Sequence, residues 1–244
     1  MNKAFTPKMK TQRQLLLVVL LAMVVTSCRK SKEEAATPAP PTGGGFVECP
    51  EFVIDIDENE YPVVRIGNQC WMAADLRTTR YKNGTNIPNV IDANAWLQMN
   101  SGAWCNYDNN SINGNIYGKL YNWHAAANPN VCPQGWHVPS DAEWSVLVNQ
   151  LGGEGVAGGK LKSTTHWSLP NEGATNETGF TALPGGYRDA GGGFFNLGEH
   201  GIWWSSTQTN PYEAWFWEMY SSVSGIYRVS DEKEEGVCIR CIRD

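Results

Sequence analysis

The chain has 244 residues, 41% hydrophobic, 11% aromatic and 18% charged, with 25 Gly, 11 Trp and 7 Cys. That length suits one sizeable core, since a domain takes roughly 100–200 residues, and so much Gly and Trp excludes a coiled coil or a long helical bundle. The net charge is −6, and four of the basic residues, Lys3, Lys8, Lys10 and Arg13, sit in a leader without acidic residues; the acidic remainder repels phosphate backbones and argues against nucleic acid as a partner.

Residues 1–27 read as a secretory signal: the four positive charges precede the unbroken apolar run Leu15 to Val25. The run is shorter than the ~20 residues of a membrane-spanning helix. Ala22 to Cys28 (AMVVTSC) resembles the lipobox of bacterial lipoproteins, with Val25 where that pattern favours Leu. The resemblance implies acylation of Cys28 and a lipid-anchored mature protein, held through its acyl chains by ~0.8 kcal/mol per buried CH₂. Residues 28–45 form the expected tether, with Pro38, Pro40, Pro41 and Gly43 to Gly45 as breakers and no apolar periodicity. Glu33 and Glu34 resemble the surface-export signals of Bacteroidetes lipoproteins. The expected location is the outer membrane, exposed on the surface.

The folded domain is expected over 46–244. Phe52 to Ile56 and Tyr61 to Ile66, separated by Asp57-Glu58-Asn59-Glu60, predict a hairpin, and Gln69 to Ala73 continues the strand pattern. A polar loop is expected from Tyr81 to Gly114. Leu120, Trp123, His124 and Ala127 fall at helical spacing and predict a helix over Tyr117 to Ala127. Ser140-x-x-Glu143 is a capping box, and Trp144, Leu147, Val148 and Leu151 make one apolar face before Gly152-Gly153. A shorter helix is expected over Val156 to Ser163. Strands are expected at Phe180 to Leu183, Gly186 to Arg188, Gly201 to Ser206, Ala214 to Tyr220, Ile226 to Ser230 and Gly236 to Arg243. Strands at both ends around central helices predict an α+β domain whose terminal strands pair.

Six cysteines remain after Cys28: Cys49, Cys70, Cys105, Cys132, Cys238 and Cys241. An even number in an exported domain points to disulfides, whose pairing the sequence leaves open. Cys238-x-x-Cys241 could instead be a metal or redox pair. On a strand, however, residues three apart face opposite ways, so two separate structural bridges are the better expectation.

Several segments together resemble the Fibrobacter succinogenes major paralogous domain, a family of secreted and lipid-anchored bacterial proteins. They run from Val64 to Tyr81, Tyr117 to Ala126, Cys132 to Trp144, Leu183 to Arg188, Trp203 to Ser206 and Val237 to Arg243. The helix start Pro139 to Trp144 and the closing strand are also similar to the formylglycine-generating enzyme superfamily. That likeness implies a C-type-lectin-like fold with short twisted sheets, two or three helices and long loops. It implies little about activity.

No hydrolase, zincin or Walker pattern occurs. The two triplets by which C-type lectins bind calcium and sugar are missing, and Asn109 to Gly114 mimics only half a calcium loop, with Leu120 where a bidentate Glu is required. The expectation is therefore no catalytic residue, no metal and no cofactor. What remains is an aromatic β region. Trp215, Trp217 and Met219 alternate with Phe216 and Glu218, and Tyr187 to Phe195 forms a glycine-rich loop. The candidate ligand contacts are Tyr187, Arg188, Asp189, Phe194, Phe195, Trp203, Trp215 and Trp217, since aromatic faces stack on sugar rings or on a partner's apolar groups. The expected function is a non-catalytic binding or adhesion module for glycan or protein. The alternatives are a structural subunit of a surface assembly and, last, an oxidase of the formylglycine-generating type.

Overall fold

The computed structural model describes residues 48–244; the signal, Cys28, the tether and the expected first domain residues Phe46 and Val47 lie outside the described residues. In chain order the elements are β1 (Phe52–Ile54), β2 (Glu60–Ile66), β3 (Gln69–Met72), α1 (Ala93–Leu97), β4 (Trp104–Cys105), α2 (Ser111–Tyr117), β5 (Leu120–Tyr121), α3 (Trp123–Ala126), β6 (Trp136–His137), α4 (Asp141–Gln150) and α5 (Glu154–Leu161). The last third is β7 (Tyr187–Arg188), β8 (Phe194–Phe195), β9 (His200–Gln208), β10 (Glu213–Tyr220), β11 (Ile226–Glu232) and β12 (Ile242–Arg243). The class is α+β.

The strands from the two ends of the domain share one sheet, with β12 paired to β3 and not to β1. One sheet has the order β1-β2-β3-β12-β6, all antiparallel, with Ile242 opposite both Trp71 and His137. The second sheet is β11-β10-β9, also antiparallel. The segment expected as one strand from Gly236 to Arg243 joins them. Val237 exchanges backbone hydrogen bonds with Tyr121, and the Cys238 N–H donates to Ile202 O on β9. The chain then crosses to the first sheet as β12. A hydrophobic cluster lies on each side of this crossing, with Val237, Ile239 and Cys241 in one and Cys238 and Ile242 in the other.

The capping box predicted at Ser140 is present: Ser140 Oγ accepts from Glu143 N–H, and Glu143 Oε2 accepts from Ser140 N–H at 2.7 Å. The helix it starts buries Trp144, Leu147 and Val148. Trp144 packs on Trp71 at 4.8 Å between ring centroids and on Trp217 at 6.3 Å. In α5, Gly158 allows a backbone approach: a Cβ there would meet Gly225 O at 2.1 Å. That contact brings the helix against the β10–β11 turn.

Three expectations change. The helix predicted over Tyr117 to Ala127 is interrupted by Gly118, which adopts φ +85, and by β5; Asn122 then caps a short α3 through a hydrogen bond from Ala125 N–H. Phe180 to Leu183 makes one bridge and no strand, because Thr181 has φ 56 and folds back so that its N–H donates to Asn176 Oδ1. The polar loop from Tyr81 to Gly114 contains α1, β4 and the start of α2.

Four of the six cysteines bond, Cys49 to Cys70 and Cys132 to Cys241. Cys105 and Cys238 do not, which corrects the expectation that both take part in bridges. The register explains it. Cys105 lies opposite Leu120, and the Tyr121–Val237 pairing places Cys238 opposite Leu120 on its other side. Two strand spacings, about 9.6 Å, exceed the reach of a disulfide, about 7 Å between Cα atoms. Loop closure over separations of 21 and 109 residues stabilises the domain by about 3 and about 5 kcal/mol in the chain-entropy picture.

Candidate functional site

Strand alternation divides the β11-β10-β9 sheet into two faces. Trp203, Trp217, Met219 and Ile226 point into the core around Trp144. The other face carries His200 and Ile202 from β9, Phe216, Glu218 and Tyr220 from β10, and Tyr227, Val229 and Asp231 from β11, matched by the pairs Phe216–Val229, Glu218–Tyr227 and Glu218–Ile202. Above this second face is a cleft of about 270 Å³ whose lining also includes Tyr187, Asp189, Glu235 and Val237; the antiparallel Arg188–Gly236 bridge sets Tyr187 beside Val237 and Asp189 beside Glu235 in one wall.

A row of rings runs through two residues of the cleft lining, Tyr187 and His200, and on to rings outside it. Phe195 lies 5.7 Å from Tyr187, Tyr187 6.4 Å from His200, His200 4.5 Å from Tyr220, and Tyr220 5.6 Å from Tyr227, all between ring centroids. Five rings therefore form a continuous belt. Such rings stack on apolar faces of a ligand and bring few rotatable bonds to immobilise.

Its charge is one-sided. Asp189, Glu218, Asp231 and Glu235 line it, and the lining contains no Lys or Arg. Burial, reinforced by the Asp231 charge, pushes the Glu235 carboxyl up to about 8 against the opposing hydrogen bond from Ala190 N–H. Burial also raises Glu218, although the Tyr220 hydroxyl donates to it. Burial lowers the His200 ring, with Glu199 opposing. A Glu235 carboxyl raised to about 8 carries its proton at neutral pH and can donate, so the cleft fits a hydroxyl-bearing ligand, which both gives and accepts, beside an apolar face.

A family model described as the Fibrobacter succinogenes major domain matches residues 64–243. The chain belongs to that family. The matched span contains every residue of the cleft. No curated protein and no solved structure matches the chain.

The structure brings part of the expected ligand set to this cleft. Tyr187 and Asp189 line it, and Phe195, outside the lining, packs against Tyr187 with 44% of its surface exposed. Arg188 does not face a ligand: it is fully buried, donates to Val90 O at 2.7 Å and Ile91 O at 3.1 Å, and lies over the Trp96 ring. Phe194 packs between Arg188 and Tyr107. Trp203 and Trp217 are sealed in the core at 0% and 1% exposure, so neither ring can meet a ligand. Trp215 lies on the sheet face away from the cleft, its ring covered by the Arg228 guanidinium at 3.5 Å.

The residues missed were Glu218, Phe216, His200, Asp231 and Glu235. Alternation on β10 had separated Phe216 and Glu218 from the tryptophans. The tryptophan face was the more conspicuous one, and it is the core.

Cys238 and Cys241 do not form a dithiol. They belong to different clusters, Cys241 is bonded to Cys132, and burial pushes the Cys238 thiol well above its ordinary range. Asn109 to Gly114 is no calcium loop, because Asn110 caps α2 there, its side chain accepting from Ile112 N–H. Among the described residues no group of three His, Cys, Asp or Glu side chains is placed to hold a metal ion.

Proposed function

We propose that the chain is an exported lipoprotein, anchored at Cys28 to the outer membrane and displayed on the cell surface. In this reading its domain is a non-catalytic binding or adhesion module for a glycan or protein ligand. The observation that carries the reading is the cleft on the β11-β10-β9 sheet, where a belt of rings borders four acidic side chains with no Lys or Arg in the lining. Acidic side chains hydrogen-bond hydroxyl groups, and a lining without Lys or Arg offers phosphate no countercharge, which argues against nucleic acid. The C-type-lectin-like architecture belongs to this proposal. Its support is the closing strand β12 paired with β3 near the domain's start, together with long loops above short sheets.

The test is an array of glycans and matrix proteins probed with the full-length protein and with Tyr187→Ala and Asp231→Asn variants. Selective binding that both variants weaken is the expected outcome. Binding that neither variant changes would place the ligand elsewhere and reject the cleft.

One feature favours a structural subunit as a second reading. The edge strand β1 turns Phe52 and Ile54 to solvent, at 46% and 50% exposure, and an unpaired edge with an apolar face is a template for a neighbouring chain. Crosslinking on whole cells distinguishes the two readings, because a subunit yields one defined neighbour even when the cleft carries both substitutions.

A further inference from the structure

A second recess lies on the far side of the Glu234–Glu235 turn. It measures about 430 Å³ and is lined by Tyr81, Asn86, Asn100, Ser101, His124 and Asn128, with Pro88 at its side and Gly102 in its floor. Its chemistry differs from that of the cleft: the lining contains no Asp, Glu, Lys or Arg. The side-chain amides of Asn86 and Asn100 have no hydrogen-bond partner among the described residues and are exposed. Each amide offers both donors and an acceptor. The Tyr81 hydroxyl, hydrogen-bonded to the Asn128 side chain, adds a group able to donate and accept. Gly102 lets that hydroxyl reach the floor, since a Cβ there would stand 2.0 Å from it. Burial lowers the His124 ring, outweighing Glu234 and aided by Lys233, so it enters neutral pH as an uncharged donor and acceptor.

One turn of chain reaches both recesses. Glu235 lines the cleft, while its neighbour Glu234 places Oε1 4.0 Å from His124 Nε2 in the second recess. The turn that carries both is fixed. Trp96 Nε1 donates to Glu234 O at 2.7 Å, and Lys233 Nζ donates to Gln208 and Pro211 while lying 4.4 Å from the Trp123 ring centroid.

We propose that the Asn86–Asn100 recess is a second subsite, across the Glu234–Glu235 turn from the cleft, for the hydroxyl groups of a neutral saccharide segment, so that the ligand is an extended oligosaccharide. This rests on the reading of the cleft as a ligand seat. Dense hydroxyls are matched by amides, imidazole and phenol, each able to give and accept. Strand addition needs a free sheet edge and helix docking an apolar groove, and this lining supplies neither. An anionic ligand finds no cation. Each recess is near or below the small end of ligand pockets, about 300–1,000 Å³, so each suits a ring or two and a longer chain fills both.

The experiment uses the full-length lipoprotein in detergent, probed on an array of neutral and amino oligosaccharides from disaccharide to octasaccharide, beside an array of peptides. Affinity is expected to rise from disaccharide to hexasaccharide. Asn86→Ala with Asn100→Ala is expected to weaken the longest oligosaccharides about tenfold, the worth of one to two lost hydrogen bonds, and to leave disaccharide binding unchanged. Both positions are exposed, so folding is unaffected. Saccharide binding that ignores length and this double variant, yet is lost in Tyr187→Ala, overturns the second subsite while the cleft stands. Peptide binding without saccharide binding also overturns it and leaves the cleft intact. Silence on both arrays rejects both.

Discussion

Arg240 Nη2 lies 2.6 Å from Asp75 Oδ1, and the two side chains are 0% and 1% exposed. Asp75 Oδ1 also accepts from Trp203 Nε1 at 2.7 Å, and the same guanidinium donates to the carbonyls of Phe180 and Thr181. Arg240 stands between the residues of Gly236–Arg243 that pair with β5 and β9 and those that pair with β3 and β6. The ion pair thus ties the crossing strand to the end of β3 and to the loop before β7.

Removing one partner leaves the other charge buried and alone. Arg240→Met is expected to cost about 3–5 kcal/mol, read as a lower denaturant midpoint with unchanged slope. Asp75→Leu combined with Arg240→Met is expected to recover part of that loss, because the second substitution removes the orphaned carboxylate. A double variant less stable than the single one would contradict this account.

The thiol pattern is directly measurable. Iodoacetamide is expected to leave the native protein's Cys105 and Cys238 unmodified, since both are buried and burial raises both, Cys105 to about 11. Denaturation without reductant should expose these two and no others among the six domain cysteines, as peptide mass mapping can check. Recovery of a peptide linking Cys105 to Cys238 would refute the register argument.

His137 is clamped by two carboxylates, with Nε2 2.9 Å from Glu143 Oε1 and Nδ1 2.7 Å from Asp244 Oδ1. The Glu143 bond, against burial and with Asp244 assisting, raises the ring above its ordinary 6.5. Burial pushes Glu143 up, but bonds from His137 and Ser140 outweigh it and hold it at about 2. The raised His contributes stability that is complete below 6.5 and lost as pH climbs through the raised value. The depressed Glu contributes stability that is present above 4.5 and lost as pH falls toward about 2. The clamp is therefore most effective between pH 4.5 and 6.5. Because it is about one-third exposed, its effect is modest. Urea midpoints across pH should fall on both sides of this window, and His137→Gln should flatten the alkaline side.

The anchor has its own test. Cys28→Ala is expected to move the protein from the membrane to the soluble fraction, as fractionation and immunoblotting would show. Unchanged sedimentation with membranes would remove the lipid anchor from the account.

What the sequence made legible follows the strength of local signals. The helix at Ser140 could be read because cap, apolar face and terminating glycines agree. Strands β2, β9, β10 and β11 could be read from alternation, and the meeting of the two ends in one sheet from their order. The helix over Tyr117 to Ala127 misled because spacing alone cannot reveal that Gly118 and Asn122 interrupt it. The thiols at Cys105 and Cys238 depended on a three-strand register set by residues more than a hundred positions apart. The cleft was half legible: Tyr187 and Asp189 were found, but fully buried Trp203 and Trp217 attracted attention that belonged to Phe216 and Glu218. Alternation separates two faces without saying which is covered, and here α4 decides it.

The central claim is that ligand sits against the ring belt of the β11-β10-β9 sheet. Hydroxyl-radical footprinting, with and without a saturating glycan or protein taken from the array, tests it most directly. The account predicts protection of Tyr187, Phe195 and Tyr227 together, with Trp215 and Tyr212 unchanged. Protection confined to Trp215 or Tyr212, with the belt fully reactive, would contradict it.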